Sequence, residues 1–61
     1  MILAYELKRD ISLLELRRDL LKVQLNIIPL ESRHRINLYL SLYEVKLELI
    51  KLRKELANLA A

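Results

Sequence analysis

Apolar residues recur along both halves of this chain at spacings that alternate three and four, and in each half they do so twice. In the first half one stripe is Ala4, Leu7, Ile11, Leu14, Arg18, Leu21, Leu25 and Ile28; a second is Leu13, Leu16, Leu20, Val23 and Ile27. The alternation is the heptad signature of a helix with an apolar seam. At about 100° per residue the two stripes lie roughly 160° apart around one helix. The second half repeats the pattern. Its better stripe is Leu38, Leu42, Val45, Leu49, Leu52, Leu56 and Leu59; its other stripe is Ile36, Leu40, Tyr43, Leu47, Ile50, Lys54 and Ala57.

Pro29 is the one strong break. It lacks an N–H and disfavours helix at the residue before it. The spacing therefore predicts a single domain over 1–61, all-α, with helix 1 over about 2–28, a turn over about 29–35 and helix 2 over about 36–60. Ser32 is a candidate N-cap for helix 2, with Asn37 as the other. One long helix kinked at Pro29 is the competing arrangement, but it would leave both stripes of both halves open. A local β-hairpin also has to be weighed, because Val23–Ile27 and Ile36–Tyr43 alternate apolar and polar. Two interleaved helical stripes produce the same alternation, and these runs are rich in Leu and flanked by no Gly. Ser12-x-x-Glu15 and Ser41-x-x-Glu44 match a capping box but sit inside periodic runs, where they read as mid-helix residues.

An antiparallel hairpin closes with one apolar face per helix. Setting the two longer stripes face to face, with residue numbers summing to about 66, opposes Ile28 to Leu38, Leu21 to Val45, Leu14 to Leu52 and Leu7 to Leu59. This register puts Arg18, the one charge in its stripe, beside Glu48, with Arg18 snorkelling out of the seam as the alternative. The other two stripes remain. Leu13, Leu16, Leu20, Val23 and Ile27 on helix 1, with Ile36, Leu40, Tyr43, Leu47 and Ile50 on helix 2, form the expected subunit interface of a higher oligomer.

Composition strengthens that expectation. A chain of 61 residues buries only about 60% of its unfolded surface on its own, and small domains usually need disulfides, a metal or oligomerisation. There is no Cys and one His, which excludes disulfides and thiolate metal sites and leaves no expected metal or cofactor. The absence of Gly and the abundance of Leu, Lys, Arg and Glu suit helices, and suit a thermophile or an idealised design. The longest uncharged runs, Val23–Leu30 and Ile36–Tyr43, are eight residues each, against about 20 needed to span a membrane. No positive n-region precedes the first apolar residues, so no signal peptide is expected.

Candidate chemistry is sparse. No nucleophile stands beside a base, no Gly-rich loop could cradle a phosphate, and Arg18 with Glu48 has no supporting flanks, so no catalytic residue and no small-molecule substrate are expected. The formal charge is +3, modest per chain but large when multiplied over a polymer. Arg33-His34-Arg35 places cations in the turn and the first turn of helix 2, where the helix dipole disfavours them. This suggests phosphate contact; a solvated turn bridged to Glu31 is the alternative. Lys8, Arg9, Lys51, Arg53 and Lys54 form a second basic cluster at the open end, diluted by Asp10 and Glu55, with a mixed-charge solvated face as its alternative. Three tyrosines, Tyr5, Tyr39 and Tyr43, are too few for a base-stacking surface.

A short, Leu-rich, Gly-free helical hairpin with basic residues at its turn resembles the small coat proteins of rod-shaped or bacilliform archaeal DNA viruses, in architecture and without a specific motif. The resemblance implies a self-assembling subunit of the virion, many copies of which tile a tube around DNA and touch only its phosphates. By that analogy either Arg33, His34 and Arg35 or the open-end cluster faces the DNA. The alternatives are a dimeric four-helix-bundle regulator or adaptor, similar in outline to small plasmid copy-control proteins and cytoplasmic, or a designed bundle without a ligand.

Overall fold

A computed structural model describes residues 2–60; Met1 and Ala61, which the single-domain expectation includes, lie outside the described residues. The described residues form two helices, α1 (Ile2–Ile27) and α2 (His34–Ala60), packed against each other as a hairpin about 46 Å long and 14 × 12 Å across. Among the described residues there is no strand. Both alternating segments are helical, because their alternation comes from two interleaved stripes rather than from a pleat.

The break follows from the backbone of Pro29. The Ile28 N–H still donates to Gln24 O at 3.1 Å, the last bond of α1. The next donor would be residue 29, and proline has none. Pro29 O then accepts from the Ser32 N–H at 3.1 Å, closing a turn. Ser32 Oγ accepts from the His34 N–H at 3.2 Å, the bond of an N-cap. This cap starts α2 at His34, two residues before the expected boundary, and places Asn37 inside the helix. Ser12 is likewise no cap: its hydroxyl donates back to Lys8 O at 3.0 Å, a mid-helix bond.

The core is a single seam. Ile11, Leu21 and Leu25 of α1 pack with Leu38, Leu42, Val45 and Leu49 of α2, and Leu14, Ile28, Leu52 and Leu56 close around them. Leu49 at its centre is 2% exposed. An ion pair from Arg53 Nη2 to Glu15 Oε2 at 3.3 Å joins the two helices within two residues of the expected register.

Two expectations for the seam are corrected. Leu59, set opposite the buried Leu7, is itself 45% exposed and lies outside the core. Arg18 does not meet Glu48. Its Nε donates to Asp19 Oδ1 at 3.1 Å, and its side chain is 25% exposed. Arg18 lines a groove on one side of the seam, with Leu49, Ile50 and Arg53, whereas Glu48 lines a groove on the other side, with Asp10, Leu14 and Leu52. Both residues stand at the same level, but residue 48 lies about 100° round the helix from the seam residue Leu49 and on the side away from Arg18.

Candidate functional site

A two-helix hairpin has four long sides: two outer edges, where each helix turns its back on the other, and two broad faces, each with a groove between the helices. The outer edges carry Leu13, Leu16, Leu20, Val23 and Ile27 on α1 and Ile36, Leu40, Tyr43, Leu47 and Ile50 on α2. Their exposures run from 48% at Leu47 to 75% at Ile27. A helix half-turn away from a buried stripe has nothing within the same chain to cover it. The consequence is measurable in area. The accessible surface is 5052 Å², whereas a compact chain of 7.3 kDa would expose about 4,200 Å². The excess of roughly 850 Å² is close to the ~800 Å² that one partner contributes to a standard interface.

At the turn end, the three basic residues have different surroundings. Arg33 and His34 are exposed, and the His34 backbone N–H is taken by the Ser32 cap. Arg35 is half-buried and engaged: Nη1 donates to Leu25 O at 2.9 Å, Nη2 donates to Tyr39 Oη at 3.2 Å, and the guanidinium carbon lies 5.4 Å from the Tyr39 ring centroid. Leu25 O is the acceptor that Pro29 leaves orphaned. Arg35 is therefore a C-cap for α1 supplied from α2. The α2 dipole disfavours a cation at this position, but the antiparallel fold brings the negative C-terminal end of α1 alongside it. Sequence reasoning saw only the unfavourable half of that arrangement. Among the described residues Glu31 forms no ion pair with any of the three.

At the open end, Lys8, Arg9, Lys51, Arg53 and Lys54 do not converge. Arg9 continues the outer stripe of α1 and pairs with its neighbour Asp10 at 3.3 Å. Lys54 continues the outer stripe of α2, on the far side of the hairpin. Arg53 turns inward to Glu15. Helical spacing sets Lys8 on the Arg53 side and Lys51 toward the opposite one.

The clearest charge pattern lies on the broad faces, which sequence reasoning missed. One groove, about 280 Å³, is lined by Arg18, Lys22, Lys46 and Arg53 with Leu49 and Ile50. The other, about 330 Å³, is lined by Asp10 and Glu48 with Leu13, Leu14 and Leu52. Among the described residues no carboxylate lines the first and no cation lines the second. Among the described residues Lys22, Lys46 and Glu48 have no ion-pair partner. The signal was present in the spacing: once Arg18 and Leu49 are placed in the seam, residues 22, 46 and 53 fall on one side of it and residues 10 and 48 on the other.

Among the described residues, no three His, Asp or Glu side chains gather as a metal site, and no polar or charged side chain is buried. Among the described residues no helix is long and apolar enough to cross a membrane. Compared with known proteins, the chain matches no family model, no curated protein and no solved structure.

Proposed function

We propose that this chain is a structural subunit that polymerises, and that its work is that of a coat protein: many upright hairpins tile the wall of a tube around DNA, touching it at phosphates without reading sequence. The observation that supports this is the pair of exposed apolar edges on opposite sides of the hairpin. An isologous dimer covers one edge and leaves the other in water. Head-to-tail packing covers both, and it runs on as an open wall where its rotation does not close a ring. In such a wall the long sides meet neighbours, and only the two ends of the rod face lumen or solvent. The turn end, with exposed Arg33 and His34, is then the phosphate-facing end.

The test is the mass and shape of the assembly by light scattering and negative-stain microscopy across a range of salt. Rods or tubes are expected; a sharp dimer or tetramer rejects the polymer and favours a closed bundle. Leu20→Asp and Leu47→Asp on the outer edges should each give a smaller species that keeps its helicity. Loss of helicity at every concentration would place those residues in the hairpin's own core.

A further inference from the structure

The broad faces of one hairpin carry opposite charge, and the same molecule supplies both. We infer that the basic face, centred on Arg18, Lys22, Lys46 and Arg53, is a docking surface for the acidic face of a second copy of this chain, an inference that rests on the self-assembly proposed above.

Sign alone is half of the argument. Helical spacing adds Glu6, Glu44 and Glu55 to the face of Asp10 and Glu48, and adds Lys8 and Arg35 to the opposite face. Glu15 and Asp19 also lie on the basic face, where they pair with Arg53 and Arg18, and Arg9 pairs with Asp10. The ammonium groups of the basic face and the carboxylates of the acidic face without an ion-pair partner among the described residues are therefore Lys8, Lys22 and Lys46, and Glu6, Glu44, Glu48 and Glu55. Arg17 and Lys51 lie on the acidic face and lower its charge without reversing it.

Position along the rod is the other half. In the hairpin register Lys46 stands between the levels of Arg18 and Lys22, while Glu48 and Glu44 on the opposite face stand at about the levels of residues 18 and 22. The central cations and central carboxylates thus occupy the same stretch of about 6 Å, four residues at 1.5 Å each. Toward the open end, Lys8 and Arg53 bracket the level of Asp10 and Glu55. Two copies stacked face to face and pointing the same way, offset sideways so that α2 of one seats in the basic groove of the other, set Lys22 and Lys46 to either side of Glu44 and Glu48 with no shift along the axis. Each groove also has an apolar rim from the exposed edges, Ile50 on the basic face and Leu13 on the acidic one.

Any one exposed pair contributes little. A row of pairs in register instead fixes partner and direction, and it weakens with salt. The apolar edges supply adhesion in one lateral direction, and the charged faces supply order in the other. A nucleic acid would satisfy the basic face but would leave the matched row of carboxylates without a role.

Two double variants test this. Lys22→Glu with Lys46→Glu puts carboxylates at the centre of both faces; Glu44→Lys with Glu48→Lys puts ammonium groups at the centre of both. Sedimentation velocity should show that each variant alone loses the highest-mass species, that an equimolar mixture regains it, and that high salt dissolves it in both the mixture and the wild type. Circular dichroism reports folding. If either variant does not fold, the fourfold variant restores complementarity with reversed polarity and should assemble. The inference is overturned if either double variant alone reaches wild-type mass, if folded variants do not co-assemble, or if the folded fourfold variant stays small. It is also overturned if Lys22→Glu with Lys46→Glu abolishes binding to a duplex DNA probe while leaving assembly mass unchanged, which assigns the face to phosphate. A wild-type protein that sediments as a single hairpin rejects self-assembly itself. A wild type that assembles regardless of face charge rejects only the face pairing.

Discussion

The inner seam and the outer edges of this hairpin are built from the same residues at the same spacing, yet one is buried and the other is not. Leu21, Leu25, Leu42 and Leu49 are buried; Leu16, Leu20, Leu40 and Leu47 are exposed. Side-chain chemistry does not separate the two sets. What separates them is angle: the turn brings the helices together along one stripe each and points the other stripes outward. An apolar residue in this chain therefore stabilises either the subunit or its contacts, according to its phase around the helix.

The largest expected effect breaks this comparison directly. Leu49→Ala removes side-chain volume from the centre of the seam and should lower hairpin stability by about 2–5 kcal/mol. Leu47→Ala, two positions away and exposed, should change it by no more than about 0.5 kcal/mol. Denaturation followed by circular dichroism, at dilutions where assembly is absent, measures both, since association would add its own concentration-dependent stability. Equal losses for the two would mean that the stripes are not divided between fold and interface.

A smaller effect probes what selects the inner stripe. Arg35 ties the first turn of α2 to the last carbonyls of α1 through Leu25 O. Arg35→Ala should cost about 1.5–2 kcal/mol, the lower part of the range for charged donors because the site is half open to water. Arg33→Ala, which breaks no bond within the described residues, should leave stability unchanged and, under the proposed function, weaken DNA binding and flatten its salt dependence. Stability that falls with Arg33 and not with Arg35 would reverse the roles given to these two turn cations.

The fold was legible in the sequence as far as periodicity carries it. Pro29 marked the break. Residues such as Leu42 and Leu49 read as one seam from spacing alone, because a period near 3.5 states which residues share a face. Arg35 was legible only in part. Its composition signal, a cation at a helix N-terminus, pointed to a ligand, whereas its contact depends on the C-terminus of another helix being alongside, and no local window contains that. The charged faces were hidden differently. Lys22 and Lys46 are ordinary helix-surface residues until the seam is chosen, and only then do they fall on the same side. The same dependence explains why Arg18 was set beside Glu48: the register gave their common level but not the side of the seam on which each stands.

The smallest effect sharpens where the phase of α2 is set. Ser32 Oγ accepts from the His34 N–H and starts the helix there, so Ser32→Ala should cost about 1 kcal/mol. In a chain of this size that lowers Tm by roughly 4–8 °C. Ser32→Asp should preserve the cap, since a carboxylate accepts the same bond and suits the positive end of the helix. Asn37→Ala is the control, because the sequence offered Asn37 as the other cap and the structure places it inside α2. If Asn37→Ala lowers Tm and Ser32→Ala does not, α2 begins later. In that case Arg35 lies outside the helix, its bond to Leu25 O is lost, and the first turn no longer holds Leu38 against Ile28 at the head of the seam.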